Sequence, residues 1–311
     1  MITTLCLNPS FDRTVAVQGF RLGETNRALT ARVDAGGKGL NVALALTRLG
    51  VDAQCAGIAG ADDVASLRAM TVQQGVAAEW MPVPGHVRVN TKLCDASTGE
   101  VTEINEPGPE VTDKDLDRYF GCIEPALRRS DFLVCTGSLP PGCPATLYAD
   151  WMRRLKGVPC VLDASGPALA EGLTARPFLV KPNLEELTQL TGLTLESRHS
   201  LEAVAEAGRS LLCQGAERAI VSMGSDGALL VTAEGVWFAP ALRVEVRSTV
   251  GAGDTMIAGF LAGYQATHSD ETAMIWAVAA AAASVMREGT QPPERADFEA
   301  LQSRVSLRRL E

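Results

Sequence analysis

Histidine is scarce in this chain, and its cysteines are not spaced to hold a metal. The 311 residues include 3 histidines, far apart, and 8 cysteines with no CxxC pair. A zinc site and a disulfide framework are therefore not expected. The thiols lie mostly in apolar segments and are expected to be buried in a cytoplasmic protein. Two nucleotide-binding fingerprints are also missing: GxxxxGK[ST] occurs nowhere, and GxGxxG is not met. Basic excess is absent, because the net charge is −9. That argues against nucleic acid or an anionic membrane as partner, and it means that an anionic substrate needs a local cluster of cations. The start of the chain, Met1 to Cys6, runs into a strand-like segment with no basic lead, so no signal peptide is expected. The Ala-rich run at 277–285 lies between Trp276 and Arg287 and is too short to span a bilayer. No internal repeat, low-complexity tract or long linker appears. What remains is an ordinary globular composition, 46% apolar and 21% charged, with room for one large α/β domain or two smaller ones.

The most informative stretch is RSTVGAGDTMIAGFLAG, Arg247 to Gly263. Gly251, Ala252 and Gly253 precede Asp254, and a helical pattern follows at once. Met256, Ile257, Phe260, Leu261 and Tyr264 fall at helix spacing on one face. A helix N-terminus offers free N–H groups and partial positive charge, and without side chains an anion can approach closely. A carboxylate beside such an anion hole suits phosphoryl transfer to a hydroxyl: the amides offset the phosphoryl charge and the carboxylate takes the proton. A tight turn capped by an Asp reads equally well from GAGD alone.

Other segments narrow the choice. Ile2 to Leu7 is expected to be a buried strand, and Val15 to Val17 a second one. Asp12 lies just beyond the first strand, at the edge where ligands collect in open parallel sheets. Residues 18–34 look irregular. Gly36, Gly37, Lys38 and Gly39 then lead into a helix with an apolar face of Leu40, Ala43, Leu44 and Leu46. Lys38 is suited to pair with a phosphate and Asn41 to bind a hydroxyl. A strand at Ala53 to Ile58 and a helix at 62–75 follow. The alternating run from His86 to Ile104 predicts a hairpin with one polar face. Its Arg88 is a candidate phosphate ligand, whereas Lys92 is expected to be solvated. From 113 onward helices (113–128, 144–156, 166–172, 199–214) alternate with strands (131–135, 160–163, 178–181, 219–223). This predicts a parallel sheet covered on both faces. A hairpin strand at 228–231, a helix at 270–286 and a last helix at 296–304 complete the series. Asn183 and Glu186 stand in capping-box positions and are also suited to a metal-bound water network beside polyphosphate.

Together these stretches resemble the ribokinase/pfkB family of carbohydrate kinases over essentially the whole chain. GGKGLNVALAL and STVGAGDTMIAGF match its two signature regions. Between them TGSLPPG, VLDASG, VKPNLEEL and VSMGSDGA stand in the family's order. LNPSFDRTV, AGGKGLNVA and VRVNTKL are typical of its hexose-phosphate branch. The resemblance implies a ribokinase-like three-layer α/β/α sandwich with a mainly parallel central sheet. It also implies one kinase domain over residues 1–311, with a small β lid from about 11–34 and 86–106, and a homodimer formed through that lid. ATP and Mg²⁺ would be used, with a ketohexose phosphate as acceptor. Fructose 1-phosphate is favoured over tagatose 6-phosphate and fructose 6-phosphate. A non-catalytic sugar-phosphate sensor is the rival of another class, and an intact Asp254 argues against it. By the same resemblance Asp254 is the base and stays ionised, and Gly251, Ala252 and Gly253 form the anion hole. Asp12, Gly37 and Asn41 hold sugar hydroxyls. Lys38, Arg88 and Arg27 meet the sugar's phosphate. Lys181, Asn183 and Glu186 lie near ATP phosphates and Mg²⁺, the last two through water. Ser222, Gly224 and Gly227 line the adenosine side.

Overall fold

The computed structural model describes residues 1–194 and 200–310. Its centre is a ten-stranded sheet. In chain order the strands are β1 (Ile2–Cys6), β4 (Ala53–Gly60), β5 (Ala77–Val83), β8 (Phe132–Thr136), β9 (Cys160–Asp163), β10 (Leu179–Val180), β11 (Arg218–Ser222), β12 (Ala228–Thr232), β13 (Gly235–Ala239) and β14 (Arg308–Leu310). The spatial order is β14-β13-β12-β11-β10-β9-β8-β1-β4-β5. Strands from β11 to β5 pair in parallel, and β12 to β14 add on antiparallel. The chain runs outward from β1 to β4 and β5, then returns to β8 on the other side of β1. The crevice at the C-terminal ends of β1 and β8 is therefore the topological switch point, where an open α/β sheet binds ligands.

Strand alternation sends Leu5, Leu7, Leu133 and Cys135 to one face of the sheet and Ile2, Val134 and Val161 to the other. The first face is covered by α3 (Asp113–Leu127), α4 (Leu147–Arg154), α5 (Gly166–Leu173), α6 (Leu184–Thr191) and α7 (Leu201–Cys213). The second is covered by α1 (Lys38–Arg48), α2 (Val64–Gln74), α8 (Ala252–Thr267), α9 (Asp270–Val285) and α10 (Arg295–Gln302). Fully buried side chains such as Phe120, Tyr148 and Phe260 contribute roughly 1.5–3 kcal/mol each by leaving water.

The helix α8 is not amphipathic as its spacing predicts. Every residue from Asp254 to Gly263 is buried, because α8 is sandwiched between the sheet and α9. Gly259 and Gly263 make this possible: a Cβ on either would press into Trp276, Ala277, Ala280 or Ala273 of α9.

The lid is a second, four-stranded sheet, order β3-β2-β6-β7, built from β2 (Ser10–Val17), β3 (Ala28–Gly36), β6 (Arg88–Asp95) and β7 (Val101–Asn105). The supposedly irregular 18–34 region thus contains most of a nine-residue strand. Its alternation of Leu29, Ala31 and Val33 with Thr30, Arg32 and Asp34 gives the lid two unlike faces. On one, Asp34, Asp12, Asn90 and Asn105 pair across the strands; on the other, Val33, Arg13, Thr91 and Ile104 do. Leu29, Val33 and Ile104 of the second face are exposed.

Strands β5, β13 and β14 were not expected from the sequence. β5 contains Pro82 at the sheet edge and β14 is the short segment Arg308-Arg309-Leu310, with two arginines, both features of edge strands. The predicted helix 199–214 is observed as α7; its first position lies outside the described residues. The thiol expectation holds for Cys6, Cys55, Cys135 and Cys160, which are buried. It fails for Cys122, exposed within α3, and for Cys213, exposed at the C-terminal end of α7. No helix is long and apolar enough to cross a membrane among the described residues.

Candidate active site

The N-terminus of α1 is clamped to β1. Thr4 Oγ1 donates to the Gly39 carbonyl at 2.7 Å. Gly37 takes a φ of 122° at the N-cap, a conformation open to glycine. A Cβ there would also crowd Cys6 Sγ. This fixes Lys38 and Asn41 over the end of β1.

Asn41 Nδ2 donates to Asp254 Oδ2 at 2.8 Å, joining residues 213 positions apart in sequence. Asp254 sits in the first turn of α8, 5% exposed. No side chain caps that helix. The amides of Gly253 and Asp254 have no acceptor among the described residues, so the anion hole is open. Beside it, Lys181 Nζ stands 3.0 Å from where a Cβ on Gly253 would sit. Burial pushes the Asp254 carboxyl up, and nearby Asp163 adds to this. Lys38, Asn41 and Lys181 pull it back only partly, to about 6. Desolvation outweighs the helix terminus, so the carboxylate is more basic than its place at the start of a helix implies, and it is still mainly ionised at neutral pH.

The Asp163 carboxylate, at the end of β9, is fully buried. Its Oδ2 lies 3.1 Å from Lys38 Nζ and accepts from Thr136 Oγ1 at 3.0 Å, and its Oδ1 lies 3.2 Å from Lys181 Nζ. Burial alone would raise this carboxyl; the two lysines overcome it and hold the group at about 2. Lys38 shows the converse balance. Burial disfavours its charge, but Asp163, Asp254 and Glu186 together raise it above the ordinary lysine value.

At the switch point a cavity of about 180 Å³ is lined by Asn8, Lys38, Arg88, Gly137, Ser138 and Ser165, among others. Arg88 reaches it from β6, anchored by Nε to the Asn8 carbonyl (3.2 Å) and by Nη1 to the Glu106 carbonyl (3.3 Å). Asp12 faces inward from β2. It accepts from Ser10 Oγ at 2.7 Å and Asn90 Nδ2 at 3.3 Å, and Lys92 Nζ is 3.7 Å from its Oδ2. Lys92, expected to be solvated, is instead 8% exposed; its strand turns that side chain under the lid.

Asn183 and Glu186 form the predicted capping box at the start of α6. Glu186 Oε2 accepts from the Asn183 amide at 2.9 Å, and Oε1 has no donor among the described residues. Asn183 bridges to Ser222, and Gly224 opens a 3₁₀ turn (Gly224–Asp226) next to it. Gly227 packs its Cα against Ala239 and Pro240, so close backbone approach accounts for that glycine. No group of three or more His, Cys, Asp or Glu forms a metal cage among the described residues. One free carboxylate oxygen fits a Mg²⁺ that keeps its waters and is held mainly by phosphates.

Arg27 is not brought to this site. It is exposed just before β3, while Gly36 at the other end of that strand meets Asp12. At 3.3 Å per residue, that is about 26 Å away, beyond the reach of one arginine. Sequence reasoning missed Asp163, Thr136 and Lys92. Asp163 carried the same signal as Asp12, an acid ending a parallel strand.

Residues 6–297 match the pattern of the pfkB family carbohydrate kinases. The 1-phosphofructokinase of Escherichia coli K12 is 37% identical over 308 residues, covering 98% of this chain and 97% of that protein. The 1-phosphofructokinase of Rhodobacter capsulatus is 39% identical over 263 residues, 84% and 82% of the two chains. Among solved structures, Escherichia coli phosphofructokinase-2 in complex with substrates and products superposes with a TM-score of 0.90 at 28% identity, covering 97% of this chain and 98% of that one. Ribokinase from Thermotoga maritima, at 24% identity and TM-score 0.81 over 97% and 99% of the chains, shares the fold. The described geometry and these likenesses agree: the chain belongs to the pfkB family of carbohydrate kinases.

Proposed function

We propose that the chain transfers the γ-phosphoryl group of ATP to the free primary hydroxyl of D-fructose 1-phosphate, giving D-fructose 1,6-bisphosphate and ADP. The observation that carries this reading is Asp254, buried beside an open anion hole and next to a cavity that holds Lys38 and Arg88. The name shared by the curated relatives supports fructose 1-phosphate as acceptor. Asp12 and Asn41, with the Gly37 backbone, hold sugar hydroxyls. Arg88 takes the existing phosphate, its planar fork meeting two oxygens. Lys38 stands between that phosphate and Asp254. The hydroxyl proton passes to Asp254 Oδ1 as the oxygen bonds to phosphorus and the bond to the ADP oxygen breaks. The amides of Gly251 and Gly253, with that of Asp254, offset the charge on the phosphoryl oxygens, while the Ala252 amide donates to the Thr249 carbonyl at 3.3 Å. ATP lies along the ends of β10 and β11, by Lys181, Asn183, Ser222 and Gly224. When bound, Mg²⁺ neutralises polyphosphate charge, reached through water by Glu186 and Asn183.

Initial rates on fructose 1-phosphate, fructose 6-phosphate and tagatose 6-phosphate test the assignment. Fructose 1-phosphate is expected to give the highest kcat/KM, and finding it the poorest of the three overturns the choice. The pH profile tests the base. Asp254 must be ionised to accept a proton, so kcat rises with pH through a midpoint at about 6 and levels off about one pH unit higher. A profile already flat from about pH 5 to 8 contradicts the raised Asp254 carboxyl, and the base role itself is tested by Asp254→Asn.

A homodimer through the lid is supported by the exposed apolar residues Leu29, Val33 and Ile104 on its outer face. Pairing two such faces hides them from water. Ile104→Glu is expected to convert the dimer to monomer in sedimentation velocity at micromolar concentration. A wild-type monomer, or an undisturbed dimer in the variant, removes this interface.

A further inference from the structure

The reaction as derived leaves Asp163 without a task. Its carboxylate is wholly buried, ends β9, and has each oxygen turned to a different lysine. Resting on the kinase reading above, we infer that Asp163 is a positioning residue: it holds Lys38 and Lys181 on two sides of the phosphoryl group in flight, so that both ammonium groups meet it without rearranging.

The two lysines come from different parts of the fold, Lys38 from the first turn of α1 and Lys181 from the end of β10. Among the described residues, Asp163 is the group ion-paired to both. Lys181 Nζ lies against Gly253 in the anion hole, and Lys38 lines the cavity that receives the sugar phosphate. The space between them is where the phosphoryl group must cross. A lysine ammonium is a point charge on a flexible stem with three donors. Lys38 spends one donor on Asp163 Oδ2 and keeps two for phosphoryl oxygens, while Lys181 is held by its ion pair to Oδ1, which accepts no hydrogen bond among the described residues. Charge placed in advance is worth most in a site with little water, because no reorientation is needed as the transition state forms.

Asp163 itself takes no proton. Its Oδ2 is engaged by Lys38 and Thr136, and its Oδ1 is buried against Lys181. In the step, the sugar oxygen bonds to phosphorus and its proton goes to Asp254. The bridging oxygen leaves on ADP with the electron pair. The lysines only offset charge.

A bland alternative is that Asp163 merely neutralises two buried lysines. A double-mutant cycle on kcat separates the two roles. Asp163→Asn and Lys38→Met are each expected to lower kcat about 100-fold, the size of losing one oriented charge donor. The double variant should fall little below the worse single one, because the two act as a unit. KM for ATP should change less than about threefold in each variant, while Lys38→Met, which also removes a cation from the sugar-phosphate cavity, raises KM for the sugar phosphate as well. The acid limb of the pH profile gives a second readout. Asp254 is faced by Lys38 and Asn41 of α1, by Asp163 and by Lys181. Removing the Asp163 charge takes away a repulsion and leaves both lysines to Asp254, so the limb moves to lower pH.

If Asp163→Asn does not fold, Asp163→Glu keeps the charge and shifts it by one methylene. It is expected to lose at least about tenfold in kcat, as a misplaced reacting group does. Losses that multiply in the double variant with an unmoved limb, or wild-type kcat in Asp163→Glu, overturn the inference. A wild-type protein idle on all three ketohexose phosphates overturns the kinase reading instead.

Discussion

Asp254→Asn lowers kcat by about 10²- to 10⁴-fold, the range for a lost acid–base group, and leaves ATP affinity within about twofold. The substitution keeps the shape of the side chain and an oxygen to accept from Asn41, now 2.8 Å away. What it removes is the ability to take a proton. The loss should fall in kcat, because proton acceptance matters only as the hydroxyl attacks. A loose phosphoryl-transfer transition state asks for little deprotonation before bonding, which sets an upper bound on the effect. Stability should move the other way or not at all. Burial raises the Asp254 carboxyl to about 6, so the fold carries an unfavourable charge that asparagine relieves, as at other strained active sites. The check is steady-state kinetics together with ATP titration calorimetry and a thermal melt. Turnover within tenfold of wild type would remove Asp254 as the base. A melt well below wild type would mean that the loss reports misfolding.

Much of this site was legible because its backbone signals are local. GAGD before a helical pattern needs no distant partner to be read as an anion hole, and α8 begins there. Lys38 was legible as a cation in a glycine loop. Its partner Asp163 is 125 residues away, and sequence spacing says nothing about such a pair. Lys92 was misread because alternation tells which residues share a face, but not which face is covered. Arg27 stands far from the cavity of its own chain, because strand length, and with it that distance, depends on where β3 begins. The periodicity of α8 suggested one buried face, since a 3.6-residue repeat cannot reveal a second helix packed behind the first. Strands β5 and β14 escaped for the reason that edge strands do, since prolyl or charged sequences lack a core pattern, whereas β13 is an interior apolar strand of only five residues.

Arg88→Ala raises KM for fructose 1-phosphate by about 30- to 700-fold, which corresponds to roughly 2–4 kcal/mol for losing a charge-assisted, partly desolvated contact. Arg88 is held in place before substrate arrives, by the Asn8 and Glu106 carbonyls, so little ordering entropy offsets the contact. Burial lowers the affinity of its guanidinium for a proton, yet arginine remains charged in any protein environment. In a chain with net charge −9, a sugar phosphate meets repulsion everywhere except at such a cluster. The substrate's phosphate is bound equally before and during transfer, so the loss belongs in KM, with kcat changed much less. KM for ATP should stay within about threefold, since the cavity lined by Arg88 contains none of Asn183, Ser222 or Gly224. Free fructose supplies the internal control. It has no phosphate for Arg88 to grip, so wild type and variant should phosphorylate it at similar, low kcat/KM. Arg88→Lys should recover only part of the affinity, because an ammonium cannot reproduce the two-pronged contact. Equal loss towards fructose 1-phosphate and fructose would mean that Arg88 shapes the lid and does not bind the phosphate. In that case Lys38 alone would have to distinguish a sugar phosphate from a sugar.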